Sequence, residues 1–256
     1  MKLKNQHILC WNHSKNDFNK IDISKVMDLK YLKGLDHQID LIKQNTKSFL
    51  SDLPYNHALL WGVRGSGKST LLKGVLKDTI NINKNLKILE VNSNDINDLP
   101  HIFLNYNFKD KVIIFIDDLS FEQNDRSYIQ FKSILEGSFY NNNLNVLFYV
   151  TSNRRHLMKR DMIDNERSTA ISQDEGIEEK VSLSDRFGLW ISFHNITKEE
   201  YLEIVKNYFA SHNITFNNLE KKESLKWIFS RGNRTGRSAF QFFKNYCSIN
   251  KIKLKI

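Results

Sequence analysis

Residues 58–70 read Ala58-Leu-Leu-Trp-Gly-Val-Arg-Gly-Ser-Gly-Lys-Ser-Thr70. Ala58 to Trp61 form a short apolar run suited to a buried strand. Gly62, Val63, Arg64, Gly65, Ser66, Gly67, Lys68 and Ser69 then fit the pattern G-x-x-x-x-G-K-[ST]. Thr70 continues into Leu71, Leu72, Val75 and Leu76, apolar residues at helical spacing. Strand, glycine loop and helix in that order are the context a phosphate-binding loop requires. Glycines open backbone conformations closed to other residues, so successive N–H groups can converge on an anion. The helix that starts near Lys68 adds the positive end of its dipole. In such a loop the lysine reaches the β- and γ-phosphates of a nucleotide and the hydroxyl of Ser69 binds Mg²⁺.

The rest of the composition suits a protein built around such a loop. With 256 residues, 40% of them hydrophobic, the chain is long enough for one large domain, or a core domain plus a small one. No stretch approaches 18 uncharged apolar residues, so no membrane span is expected. The first ten residues lack the apolar run of a signal peptide. Cys10 and Cys247 lie far apart without metal-ligand spacing and read as unpaired thiols of a reducing compartment, which points to a cytoplasmic protein. The net charge of +9 admits a nucleic-acid partner, although the lysines are scattered and no run of five basic residues occurs.

Outward from the loop, apolar strands and helical patterns alternate. Ile39, Ile42, Thr46 and Phe49 mark a one-sided helix that Pro54 stops before the loop strand. Strands are expected at Leu86–Val91, Lys111–Ile116, Asn145–Val150 and Leu189–Phe193, with helices over 95–107 and around Tyr128 to Leu135. Together with the loop strand this predicts an α/β fold with a five-stranded, mostly parallel sheet. The loops after the strands then share one edge, where a ligand sits. From Thr197 the strands stop. Thr197-x-x-Glu200 is a capping box, and two further helices follow, one ended by Gly232 and one over 238–249. The expected organisation is an N-terminal extension over 1–30, in which Trp11, Phe18, Ile21, Ile23 and Val26 pack, a nucleotide-binding α/β domain over 31–194, and a helical lid over 195–256.

Several polar residues fall where strand ends meet that edge. The third apolar strand ends in Asp117-Asp118. Asp117 suits a second Mg²⁺ contact, and Asp118 stands where a base orients an attacking water. Thr151-Ser-Asn-Arg-Arg155 follows the next strand, and Asn153 suits the same water. Arg186, in Ser184-Asp-Arg-Phe-Gly188, can project to the subunit surface and reach a neighbour's γ-phosphate. Gly232-Asn-Arg-Thr-Gly-Arg-Ser238 opens the last helix and offers Arg234 and Arg237 to the nucleotide.

The order GVRGSGKST, FIDDLS, TSNRR, LSDRFG and GNRTGRSAF resembles the AAA+ ATPases over about residues 30–250, in which Walker A, Walker B, sensor 1, arginine-finger box and sensor 2 follow in that order. LLWGVRGSGKS, DDLSFE, TSNRRHL, EEKVSLSDRFGLW and GRSAFQF are most similar to a bacterial family of predicted AAA+ ATPases catalogued as domain of unknown function 815. The resemblance implies ATP and Mg²⁺ as ligands, with Lys68 and Ser69 for phosphate and metal and Asp117 for metal. It further implies Asn153 as sensor 1, Arg186 as finger, and Arg237 as sensor 2 with Arg234 as the alternative.

Two departures matter. Most AAA+ Walker B motifs end Asp-Glu, and this one ends Asp117-Asp118, one methylene shorter at the base. Glu122 is the possible substitute, and basal turnover below about 1 per second is expected. The segment from Arg154 to Leu183 is long and charged, with Arg154, Arg155, Lys159, Arg160 and Arg167 followed by Asp174, Glu175, Glu178 and Glu179. Segments of this length in a compact domain are often functional or mobile, and this one reads either as a surface that contacts a partner or the next subunit or as a solvated charged loop. The implied activity is ATP hydrolysis at the interface of a homo-oligomer, coupled to remodelling of an unidentified protein partner. One alternative is a nucleic-acid-associated ATPase resembling replication initiators and helicase loaders. Another is a switch that binds ATP without hydrolysing it.

Overall fold

The computed structural model describes residues 8–83, 86–105, 110–122, 125, 127–136, 145–157 and 183–254. Its strands are β1 (Ile8–Asn12), β2 (Asp17–Lys20), β3 (Ala58–Gly62), β4 (Lys87–Asn92), β5 (Val112–Asp117), β6 (Val146–Ser152) and β7 (Leu189–Phe193). They form one sheet in the order β2-β1-β4-β5-β6-β3-β7. The pairs β1–β4, β4–β5, β5–β6 and β6–β3 are parallel, and β1–β2 is antiparallel. The α/β class and the mostly parallel sheet are as expected, but the strand count of five is too low. The two additional strands come from residues 8–20, where β1 continues the parallel sheet beside β4 and β2 turns back along its edge.

The central strands are apolar on both faces because both faces are covered. Val112 to Ile116 and Val146 to Ser152 are buried throughout. Around them Leu9, Trp11, Leu59, Val91, Phe121, Phe131, Phe148 and Phe187 share one core. The edge hairpin is also pinned by polar contacts. Trp11 Nε1 donates to Asp98 Oδ2 at 2.6 Å, and His13 Nδ1 bonds the same oxygen at 2.7 Å. Burial opposes ionisation of Asp98, but the bonds from His13 and Trp11 outweigh it and hold the carboxyl below its usual range.

The helices that alternate with these strands are α1 (Asp36–Leu50), α2 (Lys68–Ile82), α3 (Leu99–Asn105) and α4 (Ser127–Leu135). The face expected for α1 is the one buried, with Ile39, Ile42, Thr46 and Phe49 all below a tenth exposed. Pro100 sits in the first turn of α3, where its missing N–H costs no hydrogen bond. Cys10 and Cys247 are both thiols. Among the described residues no helix is long and apolar enough to cross a membrane. Most of the charged segment singled out after Arg155, from Lys159 and Arg160 through Arg167 to Glu179, lies outside the described residues.

By internal contacts the chain divides into two compact units. One comprises Met1–Ile23, Asn45–Gly62 and Thr79–Ser192, and contains nearly all of the sheet. The other comprises Ser24–Gln44, Val63–Asp78 and Phe193–Ile256. The second unit holds α5 (Lys198–Ser211), α6 (Asn218–Arg231) and α7 (Gly236–Ile249). Thr197 caps α5 through the expected box, accepting from Glu200 N–H at 3.1 Å while Glu200 Oε2 accepts from Thr197 N–H at 2.7 Å. Gly232 ends α6 in the left-handed region at φ 67. Tyr201, Val205, Phe209, Phe242 and Phe243 form its core, so the aromatics of the last helix are packing residues.

A half-buried titratable group in the sheet unit makes stability depend on pH. His57 precedes β3, its Nδ1 accepts the Phe148 N–H at 3.2 Å, and burial pushes its pKa down to about 4. An unfolded histidine titrates near 6.5, so the unfolded chain binds the proton first. The stabilisation is therefore full above about pH 6.5 and lost as pH falls toward 4, a difference on the order of 3 kcal/mol. His57→Asn keeps an acceptor for Phe148 and removes the titration. Urea unfolding at pH 7 and pH 4.5 should show a smaller loss in the variant than in wild type, and equal losses would show that another group is responsible.

Candidate functional site

The loop after β3 has the backbone its sequence requires. Gly65 and Gly67 stand at φ 81 and φ 104, conformations that other residues rarely adopt. A Cβ on Gly67 would meet Leu35 Cδ1 at 3.1 Å, and one on Gly65 would meet Arg237 Cβ at 3.1 Å and Thr235 Oγ1 at 3.2 Å. Lys68 opens α2, is only 6% exposed, and donates from Nζ to the Val63 carbonyl at 2.9 Å. The Ser66 hydroxyl is buried and finds no hydrogen-bond partner among the described residues. A buried hydroxyl left unsatisfied costs roughly 1–3 kcal/mol, so this oxygen calls for a polar partner. Val63 N–H donates to the Phe193 carbonyl at 2.9 Å, which fixes the start of the loop.

The last helix meets this loop within the second unit. Arg237 N–H donates to the Gly65 carbonyl at 3.0 Å. Thr235 caps α7 by accepting from Ser238 N–H at 3.1 Å. That capping box puts Arg237 in the first turn, with its backbone against the glycine loop after β3 and its side chain exposed. Arg234 precedes the cap and is also exposed.

The second group of residues belongs to the sheet unit, where β5, β6 and β3 are adjacent and parallel. Their C-terminal ends, at Asp117, Ser152 and Gly62, therefore share one edge. Asp117 is half-buried and accepts from the Thr151 hydroxyl at 2.5 Å. Asp118 is exposed in the left-handed region at φ 54, and its N–H donates to Thr151 Oγ1 at 2.9 Å. Asn153 Nδ2 donates to Asp118 Oδ1. The fold thus brings Asp118 and Asn153, the residues expected to orient water, into direct contact. Glu122 is exposed farther along the same loop.

Arg186 lies in a short helical turn before β7. Its Nε donates to Glu136 Oε1 at 2.9 Å, and Nη2 bonds the same oxygen. Both side chains are well exposed, at 37% and 43%. Arg155 stacks its guanidinium 5.6 Å from the Trp61 ring and 5.9 Å from that of Trp190, joining the end of β6 to β3 and β7.

Sequence reasoning missed Thr151 and Glu136. Thr151 stands near the end of the buried strand β6, two residues before Asn153, and a polar side chain closing an apolar strand was the available signal. Nothing local marks Glu136, which is 50 residues from its partner.

A family model described as "Protein of unknown function (DUF815)" matches residues 4–250. No curated protein matches the chain. Among solved structures, RuvB of Thermotoga maritima, a Holliday junction branch migration motor, is similar with a TM-score of 0.59 and 17% identity, over 90% of this chain and 68% of that one. Domain III of the Thermotoga maritima replication initiation protein DnaA is similar with a TM-score of 0.56 and 14% identity, over 87% of this chain and 88% of that one. The Aeropyrum pernix Orc1 protein, in complex with DNA, is similar with a TM-score of 0.55 and 12% identity, over 88% and 65%.

Proposed function

The chain belongs to the DUF815 family and has the fold of the AAA+ P-loop ATPases, and from that premise we propose that it binds Mg²⁺-ATP and hydrolyses it slowly between two copies of itself. The cycle would drive a conformational change in a macromolecular partner. The phosphate loop carries the reading. Its left-handed glycines, the nearly buried Lys68 and the unsatisfied Ser66 hydroxyl suit an oxyanion that enters with several acceptor atoms. The preference for adenine rests on the fold alone.

In this reading residues 62–70 cradle the phosphates, Lys68 contacts the β- and γ-oxygens, and Ser69 and Asp117 hold Mg²⁺. The ion, when bound, neutralises charge that develops on the phosphate oxygens. Asp118 and Asn153 orient the attacking water. Arg237, whose backbone rests on Gly65, reports to the helical unit whether the γ-phosphate is present. Arg186 serves a neighbour's nucleotide.

A specific observation favours nucleic acid as the partner. Residues 193–256 hold 12 Lys and Arg against 5 Asp and Glu, which is +7 of the chain's +9. On α6, Lys222, Lys226 and Phe229 recur at helical spacing and are exposed, the phenylalanine to 92%. An aromatic ring beside cations suits unstacked bases and their phosphates.

One titration tests both statements. Mg²⁺-ATP hydrolysis per subunit, followed against protein concentration, is expected to rise as subunits associate, and further when DNA is added at low salt. ATP binding without hydrolysis at any concentration would leave a binding switch as the better account, and indifference to DNA would return the partner to a protein.

A further inference from the structure

The two acids after β5 do not hold their positions alone. β6 is buried from Val146 to Ser152, and Thr151, near its end, is 1% exposed. A threonine hydroxyl offers one donor and two acceptor positions. Thr151 uses both functions on neighbouring carboxylate residues: it donates to Asp117 Oδ1 at 2.5 Å and accepts from Asp118 N–H at 2.9 Å. The surrounding backbone is laced to the same strand, since Leu119 N–H donates to the Thr151 carbonyl and Ser152 Oγ donates to the Leu119 carbonyl, both at 2.8 Å.

Asp118 needs that support. Its φ of 54 is uncommon for a residue with a Cβ, and such conformations persist where surrounding bonds fix them. The hydrogen bond to Thr151 Oγ1 supplies one such constraint at the peptide that joins the two acids.

We propose that Thr151 is the positioning residue for the Mg²⁺ ligand Asp117. Its hydroxyl sets the rotation of the Asp117 carboxylate and, through the Asp118 N–H, the direction in which the second acid leaves the strand. This rests on the nucleotide-binding reading above and adds to it a residue that touches neither nucleotide nor metal. Groups that orient a metal ligand typically alter metal affinity by about 10- to 100-fold when removed.

The test is Mg²⁺ dependence of ATP binding, measured by calorimetry in wild type, Thr151→Val and Thr151→Ser, with binding in EDTA as the reference. Valine matches threonine in size and lacks the hydroxyl, whereas serine retains it. The valine variant should need at least about 10-fold more Mg²⁺ for half-maximal enhancement of binding. Its metal-free binding should match wild type, and the serine variant should fall within about threefold of wild type, inside the spread such contributions show. A merely structural threonine would change melting temperature in both variants and leave the Mg²⁺ midpoint where it was. If the valine variant does not fold, Thr151→Ala, which likewise lacks the hydroxyl, carries the same comparison. An unchanged midpoint in a folded variant overturns this inference and leaves the nucleotide reading standing. Wild-type binding that ignores Mg²⁺ overturns both.

Discussion

Lys68→Ala should abolish measurable Mg²⁺-ATP binding while leaving the protein folded. The side chain is 6% exposed and its ammonium already lies 2.9 Å from the Val63 carbonyl, so the cation is held at the loop before any ligand arrives. Hydrogen bonds to charged groups contribute roughly 1.5–3 kcal/mol each. A lysine that touches two phosphates therefore accounts for a loss of about 10²- to 10⁴-fold in affinity. Fold stability should respond much less. Taking an ammonium out of water is costly, and alanine removes that cost together with the bond to Val63. The cleanest readout is thermal stabilisation by ligand. Wild type at 100 times its dissociation constant gains about 2.7 kcal/mol, and the variant at the same ATP concentration should gain almost nothing. Equal stabilisation in both proteins would remove the phosphate loop from the functional account.

The features that were legible in the sequence are those whose partners are close in the chain or whose burial is two-sided. The phosphate loop is local, so strand, glycines and helix start can be read together. β5 and β6 announce themselves because neither face meets water. β1 and β2 do not. Each has only four or five residues, in Ile8-Leu-Cys-Trp-Asn12 buried residues alternate with half-buried ones, and Asp17-Phe-Asn-Lys20 is largely polar. The place of β1 in the sheet comes from pairing with β4, whose residues Ile88 to Glu90 lie far along the chain, and β2 joins only by pairing with β1. Trp11 and Phe18 pack against the core, as their residue types suggest, but packing alone does not reveal a strand. The same limit applies at the site. Asp117, Asp118 and Asn153 have residue types that suggest chemistry, whereas Thr151 acquires its role only when Ile116 is paired with Val150 across the sheet. Glu136 becomes relevant only because the fold carries it to Arg186.

Arg186→Ala should leave ATP affinity nearly unchanged and reduce turnover by about 10³-fold or more, the usual effect of losing an arginine that stabilises a transferring phosphoryl group. The pairing with Glu136 does not oppose this. Both groups are more than a third exposed, and such pairs contribute about 1 kcal/mol or less, whereas a 10³-fold rate effect corresponds to roughly 4 kcal/mol. A neighbour's γ-phosphate would therefore outcompete Glu136 for the guanidinium. The decisive form of the experiment uses two inactive proteins. Lys68→Ala subunits have lost their own nucleotide but keep Arg186, and Arg186→Ala subunits bind nucleotide without a finger. If the arginine acts across an interface, mixing the two should restore a fraction of wild-type hydrolysis, because some interfaces then combine an intact loop with an intact finger. Recovery should grow with protein concentration. A mixture that stays inactive at concentrations where wild type hydrolyses ATP would place Arg186 outside the neighbour's site. Loss of ATP affinity in Arg186→Ala itself would instead indicate that the residue acts within its own subunit.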